Sequence, residues 1–287
     1  MIEIPNYLDP QIPTASRGIV KGVPLKEQLN EKAIGFMARN IELVYSEFDV
    51  QTFAKQAIDG LESLSIMGRA KHIATSLRHT LPSNYSDAME IIVASMLPPS
   101  KPDDTLGIAA FYYLPFSTYI ADYGLDPANN DGDDPFDVSI QAQVELTKRF
   151  TAEFSIRPFL IEQQERTLNV LTSWLNDPSE DVRRLCSEGS RPKLPWGKNI
   201  PNFIQDPSPI IPILESLKND SSLYVQRSVA NSLGDIAKDH PDLVFKLCDE
   251  WLSSADKELK WVIRHAVRYY AKKEHPKALD LRVKAKV

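Results

Sequence analysis

The C-terminal half of the chain contains an internal repeat. Residues 176–182 match residues 219–225 at an offset of 43 positions, and residues 237–241 are echoed at 271–276 with one residue inserted. Each repeat reads as a helix, a turn and a second helix, because apolar residues recur at helical spacing between turn-forming residues. One such helix pair cannot bury its own apolar face, so neighbouring pairs have to stack on one another.

Paired amphipathic helices that recur at intervals of about 40 residues are typical of HEAT-like repeats. The sequence therefore predicts an all-α fold, an α-α superhelix (solenoid) of HEAT-like repeats with a concave inner surface. Residues 26–97 show the same helical periodicity, and no segment carries a convincing strand or hairpin signal. We predict an irregular, proline-containing arm over residues 1–24 and a single helical-repeat domain over residues 25–287. Within it, residues 138–159 read as one amphipathic helix ended by Pro158.

The composition is that of an ordinary globular protein, with 43% hydrophobic and 25% charged residues among 287. No apolar run approaches the length that spans a membrane, and the N-terminus lacks the apolar stretch of a signal peptide. Cys186 and Cys248 fall on apolar helix faces, as buried reduced thiols do, and the five histidines lack the spacing of metal ligands. We therefore expect a monomeric, cytoplasmic protein with no cofactor, no metal, no membrane contact and no obligate protein partner.

The formal net charge of −6 argues against a nucleic-acid partner only if the charge is spread evenly. It is not, because residues 122–137 hold six aspartates and no basic residue. This segment has the composition of a solvated loop, with two prolines, two glycines and two asparagines. The rest of the chain is close to neutral, so a basic surface for an anionic partner remains compatible with the composition.

A stiff, basic loop follows one of the predicted helices, residues 179–186. The next stretch, residues 187–196, places Glu188 at the helix end, continues with Gly189 as a stop signal and then contains two prolines that exclude further helix. A carboxylate is thereby held at a helix end beside a loop that carries Trp196. The alternative interpretation is a rigid capping loop with an exposed acid.

The second helices of successive repeats carry pairs of residues four positions apart, so the members of each pair share a helix face. These pairs are Arg149 and Glu153, Arg184 and Glu188, Arg227 and Asn231, and Trp261 and His265. Stacking would place the arginines in one column and the acids and amides in another. Asp235 lies one turn beyond Asn231 on the same stripe, and Arg264 and Arg268 extend the basic side. Arginines along a groove suggest bound phosphates, and the alternative is a set of intrahelical ion pairs on a solvated face.

Four segments of the chain carry a resemblance to a known family: residues 146–159, 187–196, 224–241 and 264–266. They resemble the AlkC branch of the bacterial AlkC/AlkD family of DNA alkylation-repair glycosylases. The resemblance extends over roughly residues 25–279 and implies a superhelix of HEAT-like repeats, in agreement with the repeat argument. It also implies an enzyme that excises cationic N-alkylated purines, chiefly 3-methyladenine, from alkylated double-stranded DNA. The form implied is the shorter one, without an immunoglobulin-like domain.

The matching motifs imply roles for individual residues. By position, the three acids Glu153, Glu188 and Asp235 correspond to catalytic carboxylates placed around the lesion. Trp196 corresponds to an aromatic side chain that contacts the lesion or its sugar. The residues predicted to bind DNA are Arg149, Arg184, Arg191, Lys193, Arg227, Asn231, Arg264 and His265.

The chemistry suits these residue types. Alkylation at the 3-position leaves adenine cationic and already a good leaving group, so protonation of the leaving base is dispensable. Carboxylates can then stabilise an oxocarbenium-like sugar and position the water that hydrolyses the N-glycosidic bond. No lysine stands out as a Schiff-base nucleophile, so we expect a monofunctional glycosylase. Two alternatives stay open: a HEAT-like protein that binds damaged or branched DNA without cutting it, and a protein–protein interaction scaffold.

Overall fold

A computed structural model of the chain describes residues 4–99 and 106–286, and over those residues it contains helices and connecting segments but no strand. The prediction of an all-α fold is confirmed. The helices form two compact units, Met1–Ser155 and Ile156–Val287. Across the described residues, no helix combines the length and the apolar character that crossing a membrane requires.

The first unit has six α-helices among its described residues: α1 (Glu31–Val44), α2 (Val50–Ile58), α3 (Ile66–Thr80), α4 (Tyr85–Ala94), α5 (Leu114–Tyr123) and α6 (Phe136–Thr147). Short 3-10 helices connect them at Leu25–Leu29, Leu61–Ser63, Gly107–Tyr113 and Pro127–Asn129. Each of α1 to α4 follows a residue whose side-chain oxygen accepts a hydrogen bond from the backbone N–H three positions on. These capping residues are Asn30, Asp49, Ser65 and Asn84, so local sequence sets these helix starts.

The N-terminal segment packs along α1 without forming a helix of its own over residues 4–24. The Tyr7 hydroxyl donates to the side-chain oxygen of Asn40 at 2.6 Å, and Arg39 donates to the Tyr7 carbonyl at 2.8 Å. Residues 1–3 of the predicted arm lie outside the described residues. The division into an arm and one helical-repeat domain stays a prediction.

The acidic segment 122–137 begins inside α5 and ends inside α6, so only its middle is a loop. Asn130 fastens this loop to the start of α4, because its side-chain oxygen accepts hydrogen bonds from the backbone and the hydroxyl of Ser86 at 3.0 and 2.7 Å. Asn84 donates to the carboxylate of Asp131 at 2.8 Å. Hydrogen bonds therefore hold the loop that carries these aspartates to the start of α4.

The second unit has ten α-helices among its described residues: α7 (Ile156–Glu162), α8 (Gln164–Ser173), α9 (Glu180–Gly189), α10 (Pro201–Gln205), α11 (Ile211–Leu217), α12 (Leu223–Ile236), α13 (Pro241–Leu252), α14 (Lys257–Ala266), α15 (Arg268–Lys272) and α16 (Pro276–Lys284). Helices α9, α12 and α14 pack side by side in that order, each preceded by a partner helix. Cys186 on α9 and Cys248 on α13 are buried, as predicted. Burial raises the pKa of the Cys248 thiol to about 12.

The repeat in the sequence corresponds to a repeated turn. The carboxylate of Asp177 accepts a hydrogen bond from the backbone N–H of Ser179 at 2.8 Å, and Asp220 accepts the same bond from Ser222 at 2.8 Å. Arg183 joins the two turns, because it donates to Asp220 at 2.7 and 2.9 Å and to the carbonyl of Asp177 at 2.8 Å. The aspartate thus recurs because, in each repeat, it forms the same turn just before the second helix begins.

The prediction of one helix over residues 138–159 is wrong. Helix α6 ends at Thr147 and α7 begins at Ile156, with a non-helical connection between them. Pro158 does not end a helix; it lies in the first turn of α7, where its missing N–H would have no acceptor in the helix anyway. In the connection, Thr151 forms a local turn, since its hydroxyl oxygen accepts from the backbone N–H of Glu153 at 3.2 Å.

Arg149 and Glu153 therefore do not share a helix face, which corrects the first of the predicted pairs. The Arg149 guanidinium is turned back on its own unit: it donates to the Glu145 carboxylate at 2.8 Å and to the Leu97 carbonyl. The Glu153 carboxylate accepts from the Thr151 hydroxyl at 2.9 Å. The column of stacked arginines thus loses its first member, because the helix that would have carried it breaks.

Candidate functional site

Helix α9 fixes the position of Glu188. Ser179 occupies the capping position, although its side chain does not make the capping hydrogen bond, and Glu180 and Asp181 lie in the first turn, where the helix dipole favours acids. The helix runs on to Gly189, one residue past Glu188. A Cβ at position 189 would lie 2.6 Å from the Cγ2 atom of Ile156, so glycine is required where α9 meets α7.

Two carboxylates from different repeats meet at one guanidinium. Arg191 donates to Glu188 Oε1 at 2.5 Å and, through Nε, to Asp235 Oδ2 at 2.8 Å. The side chains of Glu188 and Asp235 are only 7% and 5% exposed, and that of Arg191 is 9% exposed. The interpretation of Glu188 as an exposed acid is therefore excluded. Sequence separates Arg191 from Asp235 by 44 positions, so no local pattern indicates this contact.

Further cations surround the pair. Lys238 reaches Asp235 Oδ1 at 2.9 Å, and Arg184 lies 3.6 Å from Glu188 Oε1 with its guanidinium 4.8 Å from the ring centre of Tyr224. Burial by itself would lower the pKa of Arg191, but the charges of Glu188 and Asp235 outweigh it and raise that pKa above its ordinary value. Arg191 therefore stays a cation that holds both carboxylates in place.

The loop after α9 is held from inside by a buried arginine. Arg157, on α7, is fully buried and donates to the carbonyls of Gly189 at 3.0 Å, Pro192 at 3.3 Å and Lys198. Sequence analysis missed this residue; the available signal was an arginine inside the otherwise apolar run 156–160. Arg157 thereby positions the loop through its backbone.

Trp196 projects from this loop. It is 63% exposed and adopts a left-handed backbone conformation, with φ at +65°, that a non-glycine residue rarely takes. A Cβ at Gly197 would lie 3.0 Å from Leu194 Cδ2 and 3.1 Å from Arg157 Cδ, so a larger residue would require these side chains to shift. An exposed indole held at a strained position suggests a contact surface for a partner molecule.

A second polar cluster joins α12 to α14 and α15. Asn231 Oδ1 accepts from His265 Nε2 at 3.1 Å and from Arg268 at 3.1 Å, and the His265 ring stacks on Trp261 with centroids 4.8 Å apart. Burial, together with the charges of Arg268 and Arg227, lowers the pKa of His265 to about 4. His265 is therefore a neutral side chain near neutral pH and could contact DNA only as such.

The remaining residues predicted to bind DNA are engaged to different degrees. Arg227 is exposed and, among the described residues, forms no ion pair. Lys193 is paired with Asp239 at 2.6 Å on the surface, and Arg264 donates to the carbonyl of Ala285. In the second unit the structure thus brings Glu188, Asp235, Arg184 and Arg191 together; Glu153 and Arg149 belong to the first unit. No group of histidine, cysteine, aspartate and glutamate side chains in the described ranges could hold a metal ion.

No family model matches this chain. It is 38% identical over 258 residues to YhaZ of Bacillus subtilis, an uncharacterized protein, and the match covers 90% of this chain and 67% of YhaZ. Among solved structures, the Pseudomonas fluorescens alkylpurine DNA glycosylase AlkC, bound to DNA that contains an abasic site analog, is similar with a TM-score of 0.79. That match has 37% sequence identity and covers 90% of this chain and 67% of AlkC.

Proposed function

The chain belongs to the AlkC family of alkylpurine DNA glycosylases, and from this premise we propose that it hydrolyses the N-glycosidic bond of cationic N-alkylated purines in duplex DNA. The chief substrate would be 3-methyladenine. The enzyme would be monofunctional, releasing the base without cutting the strand, and would act as a cytoplasmic monomer.

The observation that carries the proposal is the buried pair of carboxylates, Glu188 and Asp235, bridged by Arg191. The reaction of a cationic base needs negative charge beside a sugar that becomes positive, and a water held for attack. Carboxylates preset by a rigid helix end and by a guanidinium supply that charge without reorganising during the reaction. They also favour a cationic base over a neutral one, which would select for alkylated lesions.

The oxygen atoms of the pair can be assigned different tasks. Glu188 Oε1 faces both Arg191 and Arg184, whereas Glu188 Oε2 accepts no hydrogen bond from the described residues. Both oxygens of Asp235 are engaged, by Lys238 and by Arg191. We therefore assign the water to Glu188 Oε2, with Asp235 facing the developing sugar cation. The role of Glu153 as a further catalytic carboxylate stays a prediction.

Trp196 would contact the lesion or its sugar. The face of an indole ring attracts a cation by about 0.5–2 kcal/mol, and the exposed position of Trp196 makes its ring accessible to DNA. Phosphate contacts would come from the cations on the surface of the second unit: Arg227, Arg184 and Lys193. Arg191 is committed to the carboxylates, so its task would be to hold them.

The direct test is the release of free 3-methyladenine from alkylated duplex DNA by the purified protein. We expect release by the wild type, near-complete loss of release in Glu188→Gln, and no strand cleavage by either. DNA binding without any release of base by the wild type would favour the non-catalytic alternative. Absence of both binding and release would favour a protein–protein scaffold.

A further inference from the structure

A small basic cavity lies beside Asp235, one member of the carboxylate pair. Its volume is about 180 Å³, and helix α12 and the α14–α15 region line it. The charged residues in its wall are Asp235, Lys238, Arg268 and Lys272. Three cations against one carboxylate give the wall an excess of positive charge.

The single acid in the wall is already neutralised. Asp235 is bonded to Arg191 at 2.7 Å and to Lys238 at 2.9 Å, so its charge does not repel an incoming anion in full. Lys272 is exposed and, in the part of the chain that the structure describes, has no ion pair. Lys238 therefore shares the Asp235 carboxylate with Arg191, and Lys272 has no carboxylate partner among the described residues.

Arg268 is set in the wall with hydrogen-bond donors to spare. It uses one N–H of Nη1 for the His265 carbonyl at 2.7 Å and one of Nη2 for Asn231 at 3.1 Å, and a guanidinium has five N–H donors. Gly234 leaves room beside it, since a Cβ there would already be 3.4 Å from Arg268 Nη1. Burial lowers the pKa of Arg268, the charge of Asp235 opposes this, and the charge of Arg191 adds to it, so an added anion would stabilise the charged guanidinium.

We infer that this cavity binds one phosphodiester group of the DNA backbone beside the lesion, held by Arg268, Lys272 and Lys238. Arginine and lysine are the side chains that neutralise backbone phosphates, and a half-buried guanidinium gives the contact a fixed geometry. Because Asp235 belongs both to this cavity and to the carboxylate pair, a phosphate bound here would bring the adjoining sugar to the carboxylates. The inference rests on the proposed function and supplies the register of the DNA on the enzyme.

The test measures how duplex affinity depends on salt for the full-length protein and for Lys272→Gln. Loss of one phosphate contact should lower the log–log slope by about 0.9, so that between 50 and 200 mM salt the variant loses about 3.5-fold less affinity than the wild type. Lys257→Gln is the matched control, because Lys257 is an exposed lysine at the opposite end of α14 from this cavity and should leave the slope unchanged.

A second arm identifies the phosphate. Duplexes in which one phosphate at a time beside the lesion is replaced by a neutral methylphosphonate should bind the wild type more weakly. At one position this loss should be smaller for Lys272→Gln than for the wild type, because only Arg268 and Lys238 still face that phosphate in the variant. The inference is overturned if no position shows a smaller loss for Lys272→Gln than for the wild type. It is also overturned if the salt slope of Lys272→Gln equals that of the wild type. Stabilisation of the protein by inorganic phosphate with an unchanged DNA slope would also overturn it, because the cavity would then bind the free ion. A wild-type protein that binds duplex DNA but releases no base contradicts the proposed function instead and leaves the slopes measurable.

Discussion

Two arginine–carboxylate contacts in the second unit differ in how many carboxylates each arginine binds. Arg183 meets one carboxylate, that of Asp220, in two bonds of 2.7 and 2.9 Å. Arg191 meets two, Glu188 and Asp235, and binds each of them. The first contact balances one charge with one. In the second, two carboxylates share one guanidinium, and Lys238 and Arg184 supply further positive charge beside them.

The difference separates a structural contact from a site. Asp220 spends its remaining acceptor capacity on the backbone N–H of Ser222, so the contact closes the turn between two repeats. Glu188 keeps one oxygen without a partner among the described residues, beside a second carboxylate. Unused acceptor capacity on a fixed carboxylate, beside a second carboxylate, is what a cationic transition state and its water require.

The largest effect should follow from removing the charge of Glu188, at the contact with Arg191. Glu188→Gln keeps the shape of the side chain, so duplex binding should remain equal or become slightly tighter, because a charge that repels phosphate is gone. Single-turnover excision of 3-methyladenine should fall by about 10²–10³, the loss expected when one preorganised electrostatic group is removed. Glu153→Gln should reduce excision by less. Excision by Glu188→Gln at the wild-type rate would contradict the assignment of the water.

Removing the contact between Arg183 and Asp220 should affect stability instead. Asp220→Ala leaves the Arg183 guanidinium without its carboxylate and the N–H of Ser222 without its acceptor, which should lower the free energy of unfolding by about 2–3 kcal/mol. Excision per folded molecule should stay unchanged. Denaturant unfolding and active-site titration separate the two quantities, and Asp206→Ala provides the control, since Asp206 bonds only within its own exposed turn, to Ser208.

A smaller effect is expected at Trp196. Trp196→Ala removes an exposed ring and should reduce the excision of 3-methyladenine by a factor that corresponds to about 0.5–2 kcal/mol. Trp196→Phe, which keeps a ring with a weaker attraction for cations, should recover part of the activity. Equal excision by all three proteins would show that the indole does not contact the lesion.

The smallest expected effect is a change in how strongly acid destabilises the fold. Burial would raise the pKa of Asp220, but hydrogen bonds from Arg183 and Ser222 outweigh it and lower that pKa in the folded protein. The contact therefore stabilises the fold fully above the unfolded pKa of about 3.9, and this contribution is lost as the pH falls through the folded value. Asp220→Asn should be less sensitive to acid than the wild type when unfolding is followed between pH 5 and pH 2, values that bracket about 3.9. Parallel curves for the two proteins would contradict this.

Local sequence carried the parts of the fold that local chemistry determines. The starts of α1 to α4 follow their capping residues. The 43-residue offset follows from an aspartate that bonds the same backbone N–H in both turns. The end of α9 was predictable because the residues after Gly189 cannot continue a helix. By contrast, the break between α6 and α7 was not, since the apolar spacing runs through it and a side-chain turn at Thr151 competes with the helix.

The candidate site was predictable in its residue types and not in its connections. Spacing pointed to Glu188, whose counterpart in the next repeat is Asn231, and to Asp235, which lies one helical turn beyond Asn231 on the same stripe. Their bridge through Arg191 and the support of the loop by Arg157 depend on contacts between residues 32 to 44 positions apart. Such contacts come from tertiary packing, so Arg191 read as a surface cation and Arg157 as an ordinary helix residue.

The most direct test of the account is to compare single-turnover excision of 3-methyladenine by Asp235→Asn and by Asp220→Asn under conditions in which both proteins are folded. Both changes remove one buried aspartate charge that is bonded to an arginine. We predict that Asp235→Asn lowers excision by about 10²–10³ while Asp220→Asn excises at the wild-type rate. Equal rates for the two variants would contradict the claim that the carboxylate pair at Arg191 performs the reaction.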